Sequence, residues 1–220
     1  MPDLFITMFF NEETRFHYLA WIVTVVISIV LHELAHGWMA IRCGDMTPAR
    51  EGRLTGNPLV HMGPFSITVL LLLGIAWGQM PIDPTRLRGK YAEAKVAFAG
   101  PAMNLTIAII TAIALGLLYR FGPDPNTDAY WMENLRMLLL IASAANFLLF
   151  VFNLFPVPPL DGSHILANLH RPYALFVGDP SKQMFFMMGF MLMFAVSGNL
   201  WTYAFRVTES LVSFVQTVGA

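Results

Sequence analysis

Four stretches of this 220-residue chain stay apolar for about twenty residues, the length that crosses a hydrocarbon layer about 30 Å thick. They are Tyr18–Ile41, Ala94–Tyr119, Leu135–Phe155 and Met184–Tyr203. A fifth, Phe65–Gly78, is equally apolar but shorter, and glycine and proline punctuate its ends. Its length suits a helix that enters the layer and returns better than one that crosses it. Polar connectors rich in proline and glycine separate the stretches, over 42–64, 81–93, 120–134 and 156–183. Within the first of these, Gly52–Val60 has a short extended character. The pattern predicts an all-α, polytopic membrane helix bundle of about four to six transmembrane segments, one of them re-entrant. We expect one integral membrane domain over residues 1–220, since neither repeat nor inserted soluble module is visible.

Composition agrees. Hydrophobic residues make up 56% and charged residues 12%, about half the charged share of a soluble domain. Such a surface suits lipid. A net charge of -1 argues against a nucleic-acid partner, which wants a basic face. One cysteine, Cys43, excludes an internal disulfide and a cysteine-based metal cluster. The N-terminal residues carry Asp3, Glu12 and Glu13, so they do not read as a secretory signal. Lysine and arginine place the 81–95 connector (Arg86, Arg88, Lys90, Lys95) in the cytoplasm, and Asp124, Asp128 and Glu133 place 120–136 outside. Residues 42–61 are also basic. Both basic connectors share one side only if the short segment dips in and comes back, or if one of them breaks the rule.

Three polar residues interrupt the first stretch: His32, Glu33 and His36. A charged group near mid-bilayer costs about 2.5–3.5 kcal/mol on insertion scales, which makes function the default explanation. His32 and His36 stand four apart on one helix face, where two imidazole nitrogens can converge on one Zn2+. Glu33 is placed to hold a water on that ion. The bland alternative, two histidines satisfied by neighbouring helices, leaves the glutamate without a purpose. A hydrolytic zinc site takes three protein ligands and leaves one position open. Asp161 is a candidate for the third, just past a helix broken by Pro156, Pro158 and Pro159. Its competing role is capping of a short helix over 163–169.

His32-Glu33-Leu-Ala-His36 with the downstream Pro-Pro-Leu160-Asp161-Gly162 resembles the site-2 protease family of intramembrane zinc metalloproteases, in its compact form without PDZ or CBS modules. Gly44 to Pro58 and Ala99-Gly100-Pro101-x-x-Asn104 add to the likeness, which runs from about residue 20 to 170. The resemblance implies one zinc ion per chain held by His32, His36 and Asp161. It implies Glu33 as general base toward a water that attacks a peptide bond of a membrane-spanning or membrane-proximal protein substrate. Asn153 also falls at a family motif position. Asn153 or Asn104 could donate a hydrogen bond to the developing oxyanion, and either could instead join helices to one another. The expected setting is the plasma membrane of a prokaryote, with the lipid bilayer as partner. The alternative is a membrane metal-binding protein or transporter without proteolytic activity. Transporters, however, commonly spread polar positions over repeated halves, and zinc binding alone does not require Glu33.

Overall fold

A computed structural model describes residues 4–123 and 130–218; Asp3, Asp124 and Asp128 lie outside them. All regular structure among the described residues is helical. A short α1 (Thr7–Phe10) precedes α2 (Glu12–Arg42), whose first turn is capped by the Asn11 side chain accepting from the Glu13 N–H at 3.0 Å. After α3 (Thr47–Arg50) comes α4 (Pro58–Leu73), capped by Asn57 and opened by a proline at its first position. The long α5 (Ala92–Phe121) and α6 (Tyr130–Asn153) follow. Past the proline break come α7 (Asp161–Leu169), α8 (Arg171–Val177) and α9 (Gln183–Thr217). Among the described residues, α2, α5 and α6 are long and apolar enough to cross a membrane. The stretch Met184–Tyr203 is helical inside α9.

Helices α2, α5 and α6 pack on one another, and α9 joins the far side of α5 and α6. Helices α5 and α6 pack closely and both bury small residues, Ala108 and Ala112 on one and Ala144 and Ala145 on the other. Lipid tails are as apolar as leucine, so close backbone approach and hydrogen bonds must replace the hydrophobic drive that water supplies. Ser143 answers both needs. Its Oγ donates to the Ala108 carbonyl at 3.0 Å on α5 and lies 3.1 Å from Thr208 Oγ1 on α9.

The short apolar segment enters and returns. Helix α4 runs alongside α2, joined by Val25, Ile29, Met62 and Leu70. A non-helical glycine, Gly63 with φ 68°, kinks it ahead of Pro64. Its far end reaches the start of the α2 span, where the Tyr18 hydroxyl donates to the Leu71 carbonyl and the Trp21 indole N–H to the Gly74 carbonyl. The chain then comes back over residues 75–83 to the other end of α2. There the Asp83 N–H donates to Asp45 Oδ2 at 2.8 Å, and the Arg88 N–H to the Cys43 carbonyl at 2.7 Å. Both basic connectors therefore meet at the same end of α2, which resolves the charge conflict in favour of re-entry. From Trp21 to Arg42, its last residue, α2 rises about 32 Å. The nine residues 75–83 reach that far only when close to fully extended.

This strap, and not Gly52–Val60, is the extended element after α2. Residues 52–57 form turns, and Pro58 begins α4. Asp45 anchors the strap. Fully buried, its carboxylate accepts from the Thr47 N–H, the Thr47 hydroxyl and the Asp83 N–H. Burial pushes its carboxyl up, but these hydrogen bonds outweigh it and hold the group below the ordinary carboxylate value. Because the folded value lies below the unfolded one near ~3.9, the stabilisation is present above that pH and is lost as pH falls through the folded value. We predict that Asp45→Ala leaves Asp83 N–H unsatisfied and costs about 1–3 kcal/mol. A lowered thermal midpoint of the detergent-solubilised protein, with faster proteolysis between 75 and 83, is the expected reading.

Candidate metal centre

Three elements place the polar side chains. The i, i+4 spacing on α2 sets His32 and His36 one turn apart on the face toward α5, with ring centroids 4.6 Å apart. The proline break after α6 turns the chain so that Asp161 opens α7 against that face. Leu160, not Asp161, occupies the capping position, and no side chain caps α7. The aspartate thus points at the histidines. Gly162 makes this possible, because a side chain there would collide with the Leu154 carbonyl.

The donor atoms converge. His32 Nε2 and His36 Nε2 are 2.9 Å apart, and Asp161 oxygens lie 3.1 Å from the first and 3.4 Å from the second. A tetrahedral ion with bonds of about 2.0–2.1 Å separates its ligand atoms by about 3.3 Å, close to this triangle. The other ring nitrogens are already engaged. His36 Nδ1 faces the Val96 carbonyl at 2.7 Å, and His32 Nδ1 faces Asn104 Oδ1 at 2.6 Å. A carbonyl accepts only, so each Nδ1 carries the proton and each Nε2 turns its lone pair inward, as metal-ligating histidines do. Asp161 Oδ2 is buried and accepts no hydrogen bond. Two lone pairs and a carboxylate at such distances need a cation among them, and the set fits zinc. Gly100 on α5 keeps the space open: a β-carbon there would strike His36 Nε2, His32 Nε2 and His32 Cε1.

A cavity of about 800 Å3 opens beside the triad. Glu33, itself buried, lines it together with Asn153, and the strap forms one wall. Gly78 of the strap sits so close to Glu33 that a β-carbon would come within 2.5 Å of Oε1. Asn153, at the end of α6, donates one amide hydrogen to the Leu149 carbonyl at 3.0 Å. Asn104 stands differently. Its Oδ1 faces His32 and its Nδ2 donates to Asn146 Oδ1 at 2.9 Å, so both ends are used. His164 reaches Glu93 at 4.0 Å on the cavity rim. His61 is buried beneath the strap, with Nε2 against the Thr55 carbonyl at 2.7 Å.

The family model described as Peptidase family M50 matches residues 20–130 and 121–196. The chain belongs to peptidase family M50. It is 36% identical to "Putative zinc metalloprotease YwhC" of Bacillus subtilis over 154 residues, 69% of each chain. It is 32% identical to "Putative zinc metalloprotease Rip2" of Mycolicibacterium smegmatis, over 81% of this chain and 68% of that one. "Zinc metalloprotease MJ0392" of Methanocaldococcus jannaschii matches at 29% identity over 69% of this chain and 34% of its own length. No solved structure was found that matches the chain. Membership of M50, the site-2 protease family, makes zinc the cofactor and, with the three apolar helices, makes this a multi-pass membrane protein.

The residues that the sequence did not single out are Asn146 and the strap glycine. Asn146 had a readable signal: an uncharged amide inside the span 135–155 invites the same question as a buried histidine. Gly78 had none, because only the return of the chain brings it to Glu33. We predict that Gly100→Ala inserts and folds but loses zinc. Metal analysis of the purified protein should give well under one equivalent, against about one for the parent.

Proposed function

We propose that this M50 protein is an intramembrane zinc metalloendopeptidase, one catalytic domain over residues 1–220, in which His32, His36 and Asp161 hold the metal. The observation that carries this reading is the triad of inward-facing donor atoms beside a buried glutamate in a single cavity. Zinc bound there supplies Lewis acidity toward a carbonyl oxygen and toward water. The chain's own residues do the rest.

Glu33 is the general base. Its carboxylate lies one residue from His32 on the cavity wall, so it takes the proton of the attacking water at a carboxylate oxygen and returns it to the departing amide nitrogen. Proton transfer of this kind contributes about 10²–10⁴-fold in rate. Asn153 is the better candidate for donating to the oxyanion. One Nδ2 hydrogen is committed to Leu149, and the other is available to the cavity. Asn104 is fully buried and is committed at both ends, its oxygen to His32 and its nitrogen to Asn146.

The strap suggests how an unwound substrate is held. Trp77 exchanges both backbone hydrogen bonds with Ser66 Oγ, and the Gln79 N–H donates to the His61 carbonyl. Both residues thus turn their backbone toward α4. In an extended chain the intervening residues turn theirs the other way. Gly78 and Met80 make no backbone hydrogen bond among the described residues and line the cavity. An extended peptide laid along this edge gains main-chain hydrogen bonds beside Glu33. This favours a membrane-protein substrate whose helix opens locally at the cut, in the cell membrane of a prokaryote.

The test is cleavage and metal content measured on the same preparations. Glu33→Gln should retain zinc and lose at least about 100-fold in cleavage of a transmembrane reporter. Asp161→Asn should lose both. A Glu33→Gln protein that cleaves normally would sink the general-base assignment. A wild-type protein that takes up no zinc would sink the metal site and leave the transporter alternative without support as well.

A further inference from the structure

A line of buried side chains leads away from the metal site and ends on backbone. His32 Nδ1 faces Asn104 Oδ1 on α5; Asn104 Nδ2 donates to Asn146 Oδ1 on α6. Asn146 Nδ2 donates at 2.8 Å both to Ser28 Oγ on α2 and to the Ala142 carbonyl of its own helix. The Ser28 hydroxyl in turn donates to the Thr24 carbonyl at 2.7 Å. Asn104 and Asn146 are fully buried and Ser28 is 1% exposed, so solvent does not reorient them.

The polarity of this line runs one way. The Ala142 and Thr24 carbonyls can only accept. With its hydrogen spent on Thr24, Ser28 Oγ turns a lone pair to Asn146. Two acceptors on one side of Asn146 require its NH2 there, which turns Oδ1 toward Asn104. That oxygen requires the Asn104 NH2, which turns the Asn104 oxygen toward His32. His32 must then carry its hydrogen on Nδ1 and leave Nε2 bare. Without Asn146 the Asn104 amide is free to turn round. Its NH2 would then face Nδ1, move the ring hydrogen to Nε2 and block the ligand position.

We propose that Asn146, backed by Ser28, is a positioning residue that fixes the His32 tautomer through Asn104 from a third helix. This rests on His32 being a zinc ligand as proposed above. The relay predicts a specific dependence. Asparagine at 104 needs Asn146 to choose its orientation, whereas a buried aspartic acid at 104 can turn either oxygen to His32 as acceptor while a proton on the other meets the Asn146 oxygen.

The experiment is competition for zinc between a chromophoric chelator and the full-length protein in detergent, on four proteins: wild type, Asn146→Ala, Asn104→Asp and the double variant. Asn146→Ala should weaken zinc about 10–100-fold, the usual cost of disturbing the partner of a metal-bound histidine. Asn104→Asp should keep zinc, and adding Asn146→Ala to it should change the affinity by no more than about twofold. Should Asn146→Ala fail to insert, Asn146→Ser takes its place. Serine can still bond the Ala142 carbonyl one turn back but is too short to reach Asn104. Equal losses in both backgrounds would show a packing role and overturn the relay, as would no loss in either. Loss of zinc from a folded Asn104→Asp protein would overturn it too. A wild type that binds no zinc would instead defeat the metal assignment on which the relay stands.

Discussion

Two imidazole lone pairs and a carboxylate are held about 3 Å apart inside a helix bundle, and the rest of the structure follows from making that arrangement tolerable. In a medium of low dielectric such groups repel strongly unless a cation sits among them, and each would otherwise seek a proton or a solvent molecule. The fold removes those escapes. The Nδ1 atoms are tied to fixed acceptors on α5, Gly100 leaves the centre open, and Asp161 arrives from a segment that proline bars from continuing α6. The donor atoms come from α2 and α7 and the contacts that orient the histidines from α5, so no single helix carries the site.

The same low dielectric explains why an extended segment at membrane depth is confined to the cavity wall. Backbone groups facing lipid without partners cost several kcal/mol each, so irregular chain survives only where it lines protein or a polar cavity. The strap bonds Trp77 and Gln79 to α4 through Ser66 and His61, while Gly78 and Met80 line the cavity beside Glu33. Glycine at 78 is then a steric requirement. The strap approaches the Glu33 carboxylate more closely than any side chain would permit. Re-entry, extension and the glycine are one solution to one problem: returning the chain along α2 in nine residues.

Much of this was legible from residues alone. The spacing of His32 and His36 forecast a shared face, and apolar length forecast the helices now seen at 12–42, 92–121 and 130–153. The shortness of the apolar stretch 65–78 forecast the re-entrant turn, while the charge of two connectors left it as one of two possibilities. The extended element was misplaced at Gly52–Val60. There Asn57 and Pro58 spell a helix start, a local signal that overrides the weak extended character of the preceding residues. The strap itself reads as more apolar span, because extension is imposed by the distance between its anchors and not by its composition. The roles of the asparagines were likewise hidden. Asn104 and Asn153 look equivalent in sequence and separate only once hydrogen-bond partners show Asn104 tied at both ends to buried side chains and Asn153 bonded to its own helix on the cavity wall.

Folding and metal chemistry share their residues here. Helices α2, α5 and α6 are joined in the membrane interior by the line His32, Asn104, Asn146 and Ser28, whose members bridge one helix to the next. In lipid, hydrogen bonds of this sort are among the few directional forces that choose how helices pack. Here they also decide which nitrogen of His32 is bare. A ligand that binds only the packed state stabilises it by mass action. Held by His32 as proposed, zinc would be part of what selects this helix arrangement, and the arrangement in turn would select a bare Nε2. Neither the bundle nor the site can be optimised apart from the other, and this coupling accounts for polar side chains deep in spans where apolar ones would insert at lower cost.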